Sequence, residues 1–498
     1  LLGQPCGPTH GGVLFTVDVA AVGSGDGVGD ITVTDSRVRD CGNAPLPAQP
    51  GPPAQLVVSH TPPPAITDLG SSQVLTGNPP GARTGITLTW TTPAPGAIAL
   101  YRAPFGSYPE YDDGGGTLPD RAAAPGAPWT LVSAAASPGL VDQPPVRGSW
   151  HYVAFLTDSC GNRSAVSNLT AGSLNYHLGD VTNGAARGTG DNRVRLEDFS
   201  LLGAHYGISG GTLVSDSVAY LDVGPTLNGQ PTSRPTTDDL IDFEDLIVFS
   251  LNFQAVSGPQ AMVQPASPPA ANGKTEAFEL EAPSLVAPGD EVVAVLHLAA
   301  AGTMQGFSAQ LAWDAAVVQP VAVESAGFME SQGGVMFSPR PGFADAALLG
   351  VRGSGISGAG DVATFRFRVL REGDAGFHIG RVLARDAVNR PLDPNGFGRS
   401  VVAALPAHTL LLAPSPNPAH GTATLAFALA QHGDAELTIF SVDGRRVRTL
   451  AHGPREPGTY RITWKGDDDG GRGQAPGIYW ARLSASGQTF TRRIVFLR

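Results

Sequence analysis

Carboxylates recur twice in this chain at a spacing that suits a hard cation. One run opens at Asp180 and continues through Asp191 and Asp198; the other opens at Asp222 and continues through Asp238, Asp242 and Asp245. Asp191 and Asp238 stand 47 positions apart, and so do Asp198 and Asp245. Calcium takes roughly six to eight oxygens, and a loop that wraps it supplies them from positions 1, 3, 5, 7 (a backbone carbonyl), 9 and 12. With each opening aspartate at position 1, the later ligands of the first loop are Asp191, the Arg193 carbonyl and Asp198. Arg195 takes the place often bridged by water. In the second loop the set is unbroken: Asp238, the Leu240 carbonyl, Asp242 and Asp245. The third position falls on Thr182 or Asn183 in the first loop and on Gly224 or Thr226 in the second. Both loops are longer than the standard one between positions 1 and 5. The competing reading is an acidic turn that caps each helix without metal, since Asp and Glu are favoured near helix starts. A cap needs one carboxylate, whereas a repeated set at ligand spacing favours calcium. Two Ca2+ sites are expected, the second more complete.

The elements that must position these side chains are short. Each acidic run feeds an apolar helical segment, expected at 196–206 and 243–252. Leu201, Leu202, Phe249 and Leu251 fall at helical spacing and are assigned to the core. Helical patterns of any length are otherwise missing. The 64 Gly and 43 Pro, about a fifth of the chain and above average usage, point to short strands and many turns. A chain of 498 residues implies four or five domains of about 100 to 150 residues each. The net charge of −12 argues against nucleic acid and anionic membranes as partners, which select basic patches. Only Lys274 and Lys465 are lysine among the 32 basic residues, read as coding bias. No apolar run is long enough to span a membrane. Cys6 and Cys41 are candidates for a disulfide, which leaves Cys160 odd, and a free thiol is the alternative for each.

The duplicated loop-and-helix of 173–256 resembles a type I dockerin, and that resemblance implies two calcium ions and a cohesin as partner. Residues 59–172 carry alternating runs at 85–90, 97–101, 129–132 and 150–156, which suggest a β-sandwich. The order Trp90, Tyr152 and then Asp158-Ser-Cys-Gly-Asn162-Arg-Ser-Ala-Val-Ser167 resembles a fibronectin type III domain, with an insertion at 111–116. Asn162 and Asn168 stand in glycosylation-type triplets, which are common by chance. A Pro/Ala/Ser-rich linker at 257–274 is read as a semi-extended spacer. The run Gly306-Phe-Ser-Ala-Gln-Leu-Ala-Trp-Asp314, with Gly360-x-x-Ala-Thr-Phe-x-Phe-x-Val369, makes 275–405 similar to the cohesin family, a jelly-roll sandwich. A generic Ig-like spacer is the alternative. Arg39-Asp40-x-x-Asn43-x-Pro45-Leu46 repeats as Arg385-Asp386-x-x-Asn389-x-Pro391-Leu392. Residues 1–58, with strands expected at 15–19, 31–34 and 36–40, therefore read as the C-terminal part of a truncated cohesin-like sandwich. In 406–498, Pro416-Asn417-Pro418, Asp443-Gly444-Arg445, Trp464-x-Gly466 and Gly477-Ile-Tyr-Trp480 resemble the Ig-like domain of flagellar hook-capping proteins. They are similar too to C-terminal sorting domains of type IX secretion cargo. Asp443-Gly444 marks a hairpin, and Asp467-Asp-Asp469 reads as a solvated turn before it reads as a cation site.

The fold expected is mainly β, a string of jelly-roll and Ig-like sandwiches around a small α-helical calcium-binding element. Histidines form no zinc signature, and neither a nucleophile elbow nor a phosphate-cradling glycine loop occurs. No block is large enough to suggest a catalytic barrel, so no enzyme is expected within the chain, and any catalytic domain would lie upstream of residue 1. The expected role is a non-catalytic region of a secreted or cell-surface bacterial protein. It would mediate calcium-dependent cohesin–dockerin-type assembly or anchoring, with other copies of itself among the candidate partners. The alternatives are the accessory tail of a secreted polysaccharide-degrading enzyme or peptidase, and a purely structural stalk.

Overall fold

The structure is a computed structural model that describes residues 13, 16–20, 25–105, 116–254, 276–351, 353–393 and 398–497. Cys6, the insertion at 111–115 and the linker at 257–274 lie outside the described residues. The chain divides into two compact units, the first built from residues of 1–74, 85–108 and 114–175, the second from 75–84 and 176–498.

In the first unit, strands β1 (Gly27–Ile31), β2 (Val38–Arg39), β3 (Pro45–Leu46) and β4 (Ala54–Val58) form two antiparallel pairs, β1 with β4 and β2 with β3. Two expectations shift here. Residues 16–20 form no strand, and the run expected at 31–34 ends at Ile31. Alternation alone could not place them, because Val28, Ile31, Val38 and Leu46 are exposed and no core fixes their register. The repeated motif does fold the same way twice. Asp40 accepts from the N–H groups of Gly42 and Ala44 beside Asn43 at φ 64°; Asp386 accepts from those of Val388 and Arg390 beside Asn389 at φ 61°.

Strands β5 (Gly70–Gln73), β6 (Ile86–Thr89), β7 (Ala97–Pro104), β8 (Thr130–Ser133), β9 (Val141–Asp142), β10 (Ser149–Thr157) and β11 (Ser173–Leu174) build two sheets, ordered β5-β6-β9 and β11-β10-β7-β8. Leu88, Trp90, Leu100, Trp150 and Tyr152 fill the core. Tyr152 donates its hydroxyl proton to Asp142, which also takes Arg102, so the buried polar groups satisfy one another. The Asn168 side chain bonds both backbone groups of Leu69, and Asn162 donates to the Ser59 carbonyl. Both amides therefore serve the fold.

The second unit opens with helix α1 (Leu196–Ala204), α2 (Gly211–Ser215), a 3-10 turn at Ala219–Leu221 and α3 (Phe243–Asn252). The helices α1 and α3 lie where the apolar runs placed them, while α2 had no periodic signal. There follow β12 (Ala277–Ala282), β13 (Leu285–Val286), β14 (Glu291–Ala301), β15 (Gly306–Ala312), β16 (Val318–Ser325), helix α4 (Phe328–Ser331), β17 (Gly334–Phe337), β18 (Phe343–Leu348), β19 (Ser357–Val369), β20 (Gly373–Asp374), β21 (His378–Arg385) and β22 (Gly398–Ala403). Their main sheets, β16-β19-β14-β12-β22 and β17-β18-β15-β21, close over a core of Phe278, Leu296, Phe307, Phe365 and Phe367.

The last part holds β23 (Leu410–Leu411), β24 (Ala419–His420), β25 (Ala423–Leu429), β26 (Gly433–Ser441), β27 (Arg446–Ala451), β28 (Pro454–Arg455), β29 (Gly458–Trp464), β30 (Gly477–Ala485) and β31 (Gln488–Leu497). The Asp443-Gly444 signal is the β26–β27 hairpin, closed by Ser441 N–H to the Arg445 carbonyl. Asn417 clamps β31 by donating to the Arg493 carbonyl and accepting from Val495. At Gly466 (φ 68°) a Cβ would meet the Phe496 ring at 2.0 Å, which accounts for glycine after Trp464. The Asp467-Asp-Asp469 segment is a turn whose Asp468 accepts from Gly470 and Arg472 and whose Asp469 accepts from Thr449. Trp464 is fully buried against Tyr479 and Phe496. Trp464→Ala should cost this domain about 3–5 kcal/mol, read as a lower urea midpoint; a midpoint within error of the parent would refute this account of the core.

Candidate metal centre and the helical joint

The two acidic loops share one backbone plan. Asp198 collects three N–H groups, from Val181, Thr182 and Arg195; Asp245 collects the equivalent three, from Val223, Gly224 and Asp242. Each carboxylate thus caps its helix and ties the loop's start to its end. Asp180 accepts from Asp191 and Asn192, and Asp222 accepts from Asp239. Asn192 and Asp239, at the same place in the two loops, turn the chain with φ of 65° and 61°, a conformation that Asn and Asp tolerate. The halves also hold each other. Gly207 N–H donates to the Ile241 carbonyl, and Gln254 N–H, 47 positions later, donates to that of Val194.

Burial sets the electrostatics. It pushes the Asp198 carboxyl up to about 6. Burial first, then the charge of Asp238, pushes Asp222 up to about 8. Asp245 is raised well above its ordinary value by burial and then by Asp222; Asp238 and Asp242 are raised too, mainly by burial. Asp222 Oδ1 is buried with no hydrogen-bond partner. An orphaned oxygen among mutually repelling carboxylates is a place where positive charge would be stabilising.

The sequence-derived ligands are only partly brought together. Asp180, Asp191 and Asp198 share one loop, and Asp222, Asp238, Asp242 and Asp245 share the other. Asn183 stands apart, exposed, with its Oδ1 accepting from Ala185 and Ala186 in a turn. Arg193 and Asp238 are exposed and Leu240 is half-buried. Leu240 forms a bridge with Ser209, across which Ile241 N–H donates to Ile208. Among the described residues, no three Asp, Glu, His or Cys side chains converge as a metal-holding group. Asp180, Asp198 and Asp245 turn both oxygens to backbone N–H groups instead. Asp242 caps α3 through Glu244 N–H, so the capping geometry is present in both loops. Cys41 is exposed, and its expected partner Cys6 is outside the described residues.

What the sequence missed is where the helices go. Every residue of α3 except Glu244 is buried. The helix packs on β18 and β15 of the large sandwich in the same chain. Ser250 Oγ donates to the Leu348 carbonyl, Gly350 N–H donates to the Ser250 carbonyl, and Gln305 Nε2 donates to Leu348 and Gly350. Arg385 pairs with Glu244 at 3.1 Å, and Asn389 donates to the Gly229 carbonyl. The Arg and Asn of the repeated turn therefore serve this contact. Gly207, at φ 86°, comes so close that a Cβ would sit 2.1 Å from the Pro339 carbonyl oxygen. Tyr206 stacks near Phe337, with ring centroids 5.0 Å apart, and donates to Asp345. A cavity of about 380 Å3 remains between Gly207, Ser209, Asp242 and Glu244 on one side and Arg340 and Asp345 on the other.

The model of the FlgD Ig-like domain family matches residues 415–489. No curated protein matches the chain. Among solved structures, the sixth cohesin of Acetivibrio cellulolyticus scaffoldin B, in complex with a Cel5 dockerin mutant, is 14% identical. That match covers 26% of this chain and 100% of that one, with a TM-score of 0.21. A type II cohesin, A11, from Bacteroides cellulosolvens is 12% identical over 26% of this chain and 95% of its own, with a TM-score of 0.21. A type I cohesin–dockerin complex from Clostridium thermocellum is 14% identical over 25% and 92%, with a TM-score of 0.19.

Asp345 gives the joint a pH dependence. Burial pushes its carboxyl up to about 7; the Ser308 and Tyr206 hydroxyls and Arg340 oppose this, and Asp242 adds to it. In the unfolded chain the same carboxyl titrates near 4. Between those values the unfolded chain has lost the proton while the folded chain keeps it. Stability is thus full below about pH 4 and drains away as pH rises toward 7. Asp345→Asn should flatten the fall of the second unit's unfolding midpoint between pH 5 and 8, by roughly 1–3 kcal/mol at pH 8. Parallel pH profiles for parent and variant would contradict this.

Proposed function

We propose that the chain is a non-catalytic modular stretch of a secreted or cell-surface protein, in which residues 176–253 form a calcium-ordered joint seated on the cohesin-like sheet of residues 276–403. The observation that carries this reading is α3, buried on its own chain's sheet through the Ser250–Leu348–Gln305 hydrogen bonds. The docking partner implied by the sequence is then supplied in cis, and the apolar helix face is already spent. Calcium, when bound, supplies positive charge among Asp222, Asp238 and Asp242. Asp245 ties Val223 and Gly224 to the start of α3, and Asp222 holds Asp239 in its turn. With the loop set, α3 keeps its angle to β15 and β18. The FlgD Ig-like domain at 415–489 then adds a further sandwich suited to anchoring or sorting. Its place beside the cohesin-like sandwich is kept by Arg461 on Asp374, Arg492 on Glu372 and the Leu285, Leu412 and Ala426 contact.

Two measurements on the whole chain test this. Calcium at tenfold above its dissociation constant should stabilise the second unit by about 1.4 kcal/mol, and chelation should remove that gain. Ile247 is buried and its Cδ1 lies 3.1 Å from the Cβ position of Gly306 at the head of β15. Ile247→Asp should destabilise joint and sandwich together by roughly 3 kcal/mol, seen as new protease cleavage in both 176–253 and 276–403. The parent should be monomeric in light scattering. Self-association lost in the Ile247→Asp variant would mean that the helices dock between chains, against the cis reading.

A further inference from the structure

The C-terminal sandwich leaves one side of a sheet open, and the residues on it are not those of a solvated surface. Strand β30 alternates: Tyr479, Ala481 and Leu483 are buried in the core, while Ile478, Trp480 and Arg482 stand on the other side and are exposed. Strand pairing sets a row across that side, from Arg493 on β31 to Trp480 on β30, Phe440 on β26 and Arg446 on β27. Ile478 and its partner Val495 lie beside the row. The Arg482 guanidinium sits 4.2 Å from the centre of the Phe440 ring. The domain meets the cohesin-like sandwich elsewhere, through Leu412, Ala426 and Arg461, and through Arg492, whose side alternates with that of Arg493 along β31. We propose that this row is a docking surface for an acidic polypeptide segment, one that lays an apolar side chain on Trp480 between two carboxylates. It stands apart from the calcium reading.

Trp480 is 39% exposed and Ile478 44%, and Trp and Arg are among the residue types that carry most of the energy at protein interfaces. Charge then selects the partner. Arg482 and Arg493 meet no carboxylate among the described residues, and Arg446 reaches Asp469 only at 3.8 Å. The acidic groups on β26 and its hairpin are engaged already: Glu436 accepts from the Thr438 hydroxyl and Asp443 from that of Ser441. In a chain of net charge −12 this side is therefore cationic, with guanidinium forks that match planar carboxylates. Two or three strand spacings separate Arg493 from the guanidiniums beyond Trp480, roughly 10–14 Å. In an extended segment, carboxylates at i and i+4 stand about 13 Å apart, with the side chain at i+2 on the same face between them. The aliphatic Ile478 and Val495 suit an apolar side chain and offer nothing to sugar hydroxyls, which favours a polypeptide over an acidic glycan.

The test is fluorescence anisotropy of a fluorescein-labelled peptide, Asp-Asp-Leu-Phe-Leu-Asp-Asp, titrated with the whole chain, with a twin that has Lys for every Asp as control. The parent should bind the acidic peptide and not the basic one, and binding should weaken about tenfold when salt rises from about 0.05 to 0.5 M. Trp480→Ala and Arg493→Glu should each weaken it about tenfold or more at an unchanged urea midpoint, since both side chains are exposed. Arg482→Glu with Arg493→Glu should abolish binding of the acidic peptide and admit the basic twin. Arg493→Gln drops the charge at similar length and should show the same loss should the reversed charge unfold the domain. No binding by the parent, equal binding of the two peptides, or binding indifferent to Trp480→Ala and Arg493→Gln would overturn the proposal. Polygalacturonate and phosphatidylglycerol vesicles should not displace the peptide. Displacement by either, lost in Arg493→Gln, would assign the surface to a glycan or a membrane, against the proposal.

Discussion

A carboxylate taken out of water must be answered by donors or by a cation. That requirement organises residues 176–253. Asp198 and Asp245 are buried, and each is answered by three backbone N–H groups drawn from both ends of its loop. Because those N–H groups belong to the first turn of a helix and to the start of a loop, one side chain fixes both. Charge-assisted bonds of this kind are the stronger ones. The remaining oxygens are not all answered: Asp191 Oδ1 in the first loop and Asp222 Oδ1 in the second are buried without a partner. A cation bound there would discharge repulsion among groups that the fold itself has forced together.

The consequence reaches the sandwich. A short helix such as α3 has little stability of its own, so its order comes from the loop that caps it and the sheet that covers it. The sheet in turn exposes apolar and polar backbone groups, around Leu348 and Gly350, that the helix completes. Neither surface is finished without the other. The isolated helical element would present an apolar stripe to water, and the isolated sandwich would expose the Leu348 carbonyl and the Gln305 amide.

Much of this was legible in the residues. The duplication shows because ligand spacing survives at 47 positions, and the same aspartates that could bind metal are the ones that cap helices. The large β content follows from turn residues and alternation, and the C-terminal Ig-like domain from its Trp464, Gly466 and Asp443-Gly444 signals. The docking of α3 was not legible. Periodicity says that a helix has an apolar face, yet it does not say what covers that face. Ser250, Gln305 and Gly207 matter only through partners far away in the sequence. Arg195 was visible as a departure from the ligand set, but its pairing with Asp191 is a matter of geometry. Asn183 Oδ1 closes a turn with Ala185 and Ala186, a use that ligand spacing does not reveal. The strands before residue 40 were misplaced where no buried face sets a register.

The central claim is that the joint and the sandwich are one cooperative body. Amide hydrogen exchange on the intact chain measures this directly. If the claim holds, the amides of Leu246 to Leu251 exchange with the same opening free energy as those of Phe343 to Leu348, and both respond together to chelation. Helix amides that exchange orders of magnitude faster, while the strand amides stay protected and indifferent to chelator, would contradict it.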